Sequence, residues 1–525
     1  SVADIIYDDL EEIYVSCSSK EQNLLYQNLE SSFEEIKVGV SYSGSSNNSL
    51  WFDYNNDGFT DVYVGNSSSK NRLYKNNGDG SFTDVTEVAG VGSEKNPLSL
   101  MAGDLNNDGF LDIYNANINE QNDLYLNNGD GTFLDYTLQS RALDTQVAMG
   151  SVFFDYDNDG DLDIYLTHDN NQPNILYQNQ GNARFIDVSV RSGTNYAGFG
   201  MGVDVSDFNR DGWLDIYITN LYENTLLINN GDGTFSDHSL SSGTDDFGMG
   251  WGTNILDYDN DGWPDIYVVN NSFFSDYPNI LYKNNGDLTF SDVSTGTELE
   301  SRFAGYGSAT FDMENDGDLD IIVSNSGSKG GVELFVNEGN DNHWIGFSLK
   351  GMTSNKSAIG VRAEVYVNDI TLIDEITAGT GYASQSSLKL HFGLGDISMV
   401  DSVIFRWPSG QIDKYYDLPA DQYYKSTEAE SLFRFDEITS TSDQITLEEL
   451  QAFPNPTSNR LMIKLPTDYQ KAVEYTMIDN LGQLVRQGTI IDDSDELDIE
   501  DLSPGLYLLK VNYEKAIHVK RIRKN

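Results

Sequence analysis

Asp155-Tyr156-Asp157-Asn158-Asp159-Gly160-Asp161-Leu162-Asp163 carries oxygen-bearing side chains at positions 1, 3, 5 and 9 and a glycine at position 6. The pattern returns at Asp53, Asp104, Asp207, Asp257 and Asp312, so the six starts lie 51, 51, 52, 50 and 55 residues apart. Alternate residues of a tight loop can turn inward together. Glycine at position 6 permits a bend that a side chain would obstruct. A ring of oxygens of this kind suits calcium, a hard cation that takes roughly six to eight oxygen ligands.

The candidate ligands are Asp53, Asn55, Asp57, Phe59 and Asp61 in the first loop, and Asp104, Asn106, Asp108, Phe110 and Asp112 in the second. The third supplies Asp155, Asp157, Asp159, Asp161 and Asp163, and the fourth Asp207, Asn209, Asp211, Trp213 and Asp215. The fifth supplies Asp257, Asp259, Asp261, Trp263 and Asp265, and the sixth Asp312, Glu314, Asp316, Asp318 and Asp320. Position 7 varies in type, as expected of a residue that contributes its backbone carbonyl. About six calcium ions are therefore expected. An EF-hand is excluded, because it needs a glutamate at position 12 and flanking helices. Position 12 is apolar here, as in Val64 and Leu166. The flanks, such as Val152-Phe153-Phe154 and Ile164-Tyr165-Leu166, are β-branched and aromatic strand text. Each loop should join two strands of a hairpin.

Every repeat has a second half, as in Leu73-Tyr74-Lys75-Asn76-Asn77-Gly78-Asp79-Gly80-Ser81-Phe82-Thr83-Asp84. Two strands around an Asn-Gly-Asp-Gly turn make a further hairpin. Four strands per unit match one blade of a β-propeller. The second half also occurs before the first loop, at Leu25-Tyr26-Gln27-Asn28, and ends with Leu334-Phe335-Val336-Asn337, seven copies in all. The expected fold is all-β, with a seven-bladed calcium-binding propeller whose first blade lacks a metal loop and is completed by residues 1–20. Six blades plus an N-terminal half-unit is the alternative. Residues 20–340 resemble the FG-GAP or VCBS repeat family, the propeller type of integrin α-subunits and many bacterial surface proteins. The resemblance implies calcium in the blade loops and a partner surface elsewhere on the disc. Glu314 at position 3 of the sixth loop departs from the pattern but keeps an oxygen.

The chain has 525 residues, a formal net charge of −53 and a pI of about 4.1, so nucleic acid and anionic membrane surfaces are poor partners. The six loops hold 23 of the 84 acidic residues, and the fold should depend on the metal that neutralises them. One cysteine, Cys17, rules out an internal disulfide framework. No transmembrane run is present. The sequence begins without methionine or signal peptide, which suggests a processed form or a fragment, exported after removal of a signal peptide.

Beyond the repeats, Ala358-Ile359-Gly360-Val361-Arg362-Ala363, Thr377-Ala378-Gly379-Thr380-Gly381-Tyr382, Leu390-His391-Phe392-Gly393 and Arg406-Trp407-Pro408-Ser409-Gly410 follow in order. Together they resemble the ASPIC/UnbV domain, which follows such propellers in bacterial proteins and in the cartilage acidic protein family. From composition alone this is a small β domain. Residues 426–448 are polar and read as a linker. From Phe453-Pro454-Asn455-Pro456 to Lys520-Arg521-Ile522-Arg523, the tail resembles the type A sorting domain of the Bacteroidetes type IX secretion system, an immunoglobulin-like β-sandwich. That implies handling by the type IX machinery and an extracellular or outer-membrane surface location. The expected domains are 1–340, 341–425, a linker at 426–448, and 449–525.

The five histidines are scattered, and neither a nucleophile elbow nor a phosphate loop occurs. Calcium ligation accounts for the paired carboxylates. The expected function is therefore non-enzymatic: adhesion or recognition of a glycan or protein ligand at the cell surface. A polysaccharide-active lyase or hydrolase on the same scaffold is the alternative. Candidate ligand-facing aromatics are Trp51, Trp213, Trp251, Trp263, Phe273, Phe274 and Tyr277, most of which packing within blades would equally explain.

Overall fold

In the computed structural model the described residues are 1–18, 22–40, 45–272, 276–326, 331–430 and 432–434. Within the tail they are 451–453, 460–464, 473–479, 484–490, 496–500, 502–503, 505–513 and 516–524. Phe273, Phe274 and most of the segment read as a linker lie outside them. The chain divides into two compact units. One comprises residues 1–5, 10–75 and 82–432, and the other 6–9, 76–81 and 433–525.

The repeats form antiparallel sheets of one design. In the third repeat, Ala148–Phe154, Asp163–His168, Ile175–Asn179 and Phe185–Asp187 pair in that order, and the one-turn helix Ser189–Ser192 follows. The acidic loop joins the first two strands, and Phe154 pairs with Asp163 across it. All residues of these two strands are buried, which is why apolar and aromatic residues stand side by side in Val152-Phe153-Phe154 and Ile164-Tyr165-Leu166 rather than alternating with polar ones. Among the described residues seven such sheets lie between Val2 and Phe335; the last, ending at Gly331–Phe335, has three strands there. The first takes Val2–Ala3 and Glu12–Val15 from the N-terminus and pairs them with Leu24–Asn28 and Phe33–Ile36. There the Ile5 amide donates to Glu12 at 2.9 Å, the contact that position 2 makes to position 9 in the acidic loops.

Six pairs of neighbouring sheets are each tied by an asparagine. The side-chain amide at the end of the third strand donates to the position-2 carbonyl of the preceding acidic loop. Asn127 reaches Tyr54, Asn179 reaches Leu105, Asn229 reaches Tyr156, Asn284 reaches Phe208 and Asn337 reaches Tyr258, at 2.7–3.0 Å. Asn28 of the first sheet makes the same bond to Met313 of the last, 2.9 Å long across 285 residues. The Tyr14 and Trp51 rings then pack edge-on between the first and second sheets. First and last repeats are thus neighbours.

Two further four-stranded sheets follow in the same unit. One contains His343–Lys350, Leu390–Gly395 and Gln422–Thr427, and the other Arg362–Val367, Ile370–Glu375, Met399–Arg406 and Ile412–Pro419. Ile345, Phe347, Val365, Val403, Phe405 and Trp407 share a core with Leu50, Phe52 and Leu100 of the repeats. The domain boundary read at 425 is corrected here. Gln422–Thr427 runs parallel to His343–Lys350, pairing as far as Lys350 with Thr427. Glu428, 2 % exposed, then accepts the amides of Met352, Thr353 and Ser354 at 2.6–2.7 Å. Polar composition made this stretch look like a linker, but its polar groups are internal hydrogen-bond partners.

Segment 376–387 passes along the first strands of the repeat sheets. Gln385, fully buried, holds both backbone groups of Trp51 (2.7 and 3.0 Å) and receives the Val2 amide. Gly381 exchanges two backbone bonds with Val203, and Ser387 donates to Thr310. Gly379 lies so close to Leu100 that a Cβ would stand 1.9 Å from its carbonyl oxygen, and its φ is +88°. The Gly-Thr-Gly motif is thus required by close approach and backbone conformation together.

In the tail, Arg460–Lys464 pairs with Gln451–Phe453 and Glu496–Asp498. A second sheet orders Leu484–Ile490, Val473–Asp479, Gly505–Tyr513 and Ala516–Lys524. Leu461, Ile463, Met477, Leu509 and Ile522 fill the core between them.

Candidate metal centre

Each acidic loop is built around its first carboxylate. Asp155 accepts the amides of Asp159 (3.0 Å) and Gly160 (2.8 Å), so its own side chain folds the loop. Position 9 closes it: Asp163 accepts the Tyr156 amide at 3.2 Å and the Asn179 amide at 2.7 Å. The other loops repeat this, as at Asp53, Asp104, Asp207, Asp257 and Asp312 with their position-6 glycines. Those glycines have φ between 83° and 91°. Position 4 is also left-handed, with φ between 55° and 58°, and is asparagine in five loops and Arg210 in the fourth.

Sequence reading assigned position 4 no task. Its side chain links each of the first five loops to the next. Asn56 donates to Gly109, Asn158 to Gly212, Arg210 to Gly262 and Asn260 to Gly317, each to the following loop's position-6 carbonyl. Asn107 instead reaches Asp161 of the third loop at 2.6 Å. The signal was present in the sequence, since asparagine is enriched among non-glycine residues that adopt positive φ.

Carboxylate oxygens of Asp155, Asp157 and Asp159 lie within 4.8 Å of one another, as do those of Asp257, Asp259 and Asp265. In the first, second and fourth loops position 3 is Asn55, Asn106 or Asn209, whose amide donates to the position-5 carboxylate at 2.9–3.0 Å. In the sixth loop Asp312 accepts the Tyr423 hydroxyl at 2.9 Å. Lysines from the third strand enter two loops: Lys75 lies 2.9 Å from Asp57, and Lys283 pairs with Asp259 and lies 3.0 Å from Asp261.

The electrostatics ask for more positive charge than these lysines bring. Burial pushes Asp53, Asp104 and Asp207 up to about 6 and Asp257 up to about 8, with the neighbouring Asp261 adding to the shift in the last. Burial, then repulsion from Glu375, raises Asp155. Asp112, Asp163, Asp215 and Asp265 are held well above the usual carboxylate range by burial. Crowded, half-dehydrated carboxylates of this kind fit a hard divalent cation, which would hold them ionised. The residues that would hold it are those at positions 1, 3, 5 and 9, with the position-7 carbonyl.

The position-7 side chains have packing tasks. Phe110, Trp213 and Trp263 lie against the hairpin-turn glycines Gly129, Gly231 and Gly286, where a Cβ would come within 2.8–3.0 Å. Trp51 is 1 % exposed and bonded to Ser1. Trp251 packs on Tyr306 and Tyr382, while Tyr277 stays 40 % exposed. The described histidines are not gathered: His168 meets Asp144, His343 meets Asp421 and His391 meets Asn260.

The loop-bearing face is also where the second pair of sheets sits. Asp53 and Asp155 donate their amides to Ser357 and Glu375. Arg362 reaches Asn158 and Gly212, His391 reaches Asn260, and Lys389 reaches Asn315. A Cβ on Gly109 would meet the Thr353 carbonyl at 2.5 Å. All six loops therefore touch this domain.

The family model described as FG-GAP-like repeat matches residues 53–115, 104–166, 155–218, 207–268 and 257–323, together more than half of the chain. The chain belongs to the FG-GAP-like repeat family. In this repeat protein the ASPIC and UnbV model matches residues 351–432, and the secretion system C-terminal sorting domain matches 451–525. That sorting domain indicates secretion and a cell-surface or extracellular location, and implies handling by the secretion machinery. No helix among the described residues is long and apolar enough to cross a membrane. Human cartilage acidic protein 1 is 25 % identical over 344 residues, covering 63 % of this chain and 43 % of that protein. The mouse protein of the same name is 26 % identical over 264 residues, covering 48 % and 40 %. This chain spans less than half the length of these curated relatives. Among solved structures, a lectin of Agrocybe aegerita that recognises non-reducing terminal N-acetylglucosamine is similar, with a TM-score of 0.40. It is 17 % identical, and the match covers 62 % of this chain and 89 % of that one.

Proposed function

We propose that this protein is a calcium-stiffened recognition module of the cell surface: a seven-bladed propeller that binds a glycan or protein ligand and carries no catalytic activity. The observation that carries the reading is the repeated loop, braced six times by its own aspartate and chained five times to the following loop through position 4. Seven sheets, with Asn28 bonded to Met313, support a closed ring of seven blades. Bound calcium would supply the positive charge that lets the buried carboxylates stay ionised without repelling one another. Segment 376–387 fills the region along the first strands where a propeller has its central channel, which favours a ligand held on the outer surfaces. The tail is an immunoglobulin-like sandwich that directs type IX export.

The test is binding and turnover on one set of polymers. The full chain, with calcium present, should retain a glycan or a surface protein without releasing soluble oligosaccharide. Release of product from any polysaccharide would overturn the non-enzymatic reading. Loss of all binding partners in calcium would overturn the recognition reading.

A further inference from the structure

A groove of about 920 Å³ separates the third and fourth acidic loops from the sheet that contains Arg362–Val367 and Met399–Arg406. Its size falls within the roughly 300–1,000 Å³ of small-ligand clefts. On one wall Arg406 grips Glu364 with two nitrogens (2.6 and 3.4 Å) and still remains 48 % exposed. The Tyr366 hydroxyl donates to the same carboxylate at 2.6 Å. On the other wall the Arg210 guanidinium lies 3.5 Å over the Trp263 ring, its Nε fixed on the Gly262 carbonyl. Arg210 and Trp263 also serve their loops, through the Gly262 carbonyl and the Gly286 turn, whereas the Arg406–Glu364–Tyr366 cluster pairs within itself and lines the groove.

Sugar hydroxyls both donate and accept, so they suit a surface that alternates guanidinium donors with carboxylate acceptors. The apolar face of a sugar ring suits an aromatic side chain with a polar tip. The groove is lined by three arginines and six carboxylates, a balance of −3. Two divalent ions, in the third and fourth loops, would bring it to +1, near neutrality. The chain as a whole carries −53, which repels polyanions. Two of the six carboxylates, Glu364 and Glu375, are already paired with Arg406 and Arg362, which leaves little bare acidic surface for a basic peptide. We infer that this groove is a binding site for a segment of neutral oligosaccharide, held by Arg406, Glu364 and Tyr366 against the Arg210–Trp263 stack. The inference rests on the recognition function proposed above and gives it a place and a ligand class.

The experiment presents the full chain, in calcium, to an array of neutral glucans, mannans and galactans beside uronate-bearing and sulfated oligosaccharides. The strongest neutral binder is then titrated against Arg406→Ala, Tyr366→Ala and Tyr366→Phe, the last keeping the ring. The expected result is a neutral binder whose affinity falls about tenfold or more in both alanine variants and less in Tyr366→Phe, with the melting temperature unchanged. Neutral binding that survives both alanine variants would overturn the groove and leave surface recognition standing. Binding confined to uronate-bearing or sulfated glycans would overturn the ligand class. No glycan binding at all, by folded protein, would overturn the site and turn the proposed function toward a protein ligand.

Discussion

At the residue scale, one aspartate does two jobs. Asp155 folds its loop by accepting two amides, and in the proposed calcium site it would also offer oxygens, together with Asp157 and Asp159, whose carboxylates lie within 4.8 Å of it. Asp155→Ala should therefore lose one calcium equivalent and leave two amides without their acceptor, costing about 1–3 kcal/mol even before metal is counted. Equal stability and an unchanged metal count would contradict that. The same carboxylates set a pH dependence. Asp53, Asp104 and Asp207 titrate near 6 in the fold and Asp257 near 8, all above their unfolded value of 3.8. The metal-free fold thus binds more protons than the unfolded chain between about pH 4 and 8 and loses stability as pH rises through that window. Chelated protein should melt at a lower temperature at pH 8 than at pH 5, and added calcium should reverse the trend. A chelated melting temperature that rises with pH would refute it. The recurrence of positions 1, 5, 6 and 9 was legible in the sequence, whereas the amides that positions 1 and 9 accept were not. Position 4 was not assigned, because its partner lies one repeat away.

At the element scale, the hairpins follow from turn chemistry and strand text, and the sequence placed nearly all of them. It could not show what joins them. Asn28 and Asn127 end their third strands and were assigned no role from the sequence, yet each spans two sheets. Asn28→Ala removes the bond to Met313 and leaves a buried carbonyl short of a partner, at a cost of about 1–3 kcal/mol. Urea unfolding should show it, whereas an exposed turn asparagine such as Asn285 should tolerate the same change. Gly379→Ala is more damaging, because its Cβ would strike the Leu100 carbonyl and the backbone conformation disfavours any side chain. The Thr377–Tyr382 motif was visible as a motif, but its threading past the repeat strands depends on contacts about 280 residues away in sequence. The same blindness to distant partners misread Glu428 as linker.

At the scale of the whole molecule, the acidic loops support two kinds of structure. They brace one repeat against the next, and all six touch the ASPIC and UnbV domain. Calcium removal should therefore loosen the contact between that domain and the repeats before the sheets themselves melt. Hydrogen exchange of residues 351–395 should rise first on chelation. Simultaneous loss of protection everywhere would argue against such a hierarchy. The sequence disclosed the domain order and the acidic loops, but not that the second domain lies on them.

The most direct test of the account counts calcium on the full chain by elemental analysis after dialysis and follows its melting with and without chelator. About six ions per chain, with a melting temperature at least about ten degrees lower in chelator, is the predicted result. Fewer than two ions at millimolar calcium, or a melting curve indifferent to chelation, would contradict it.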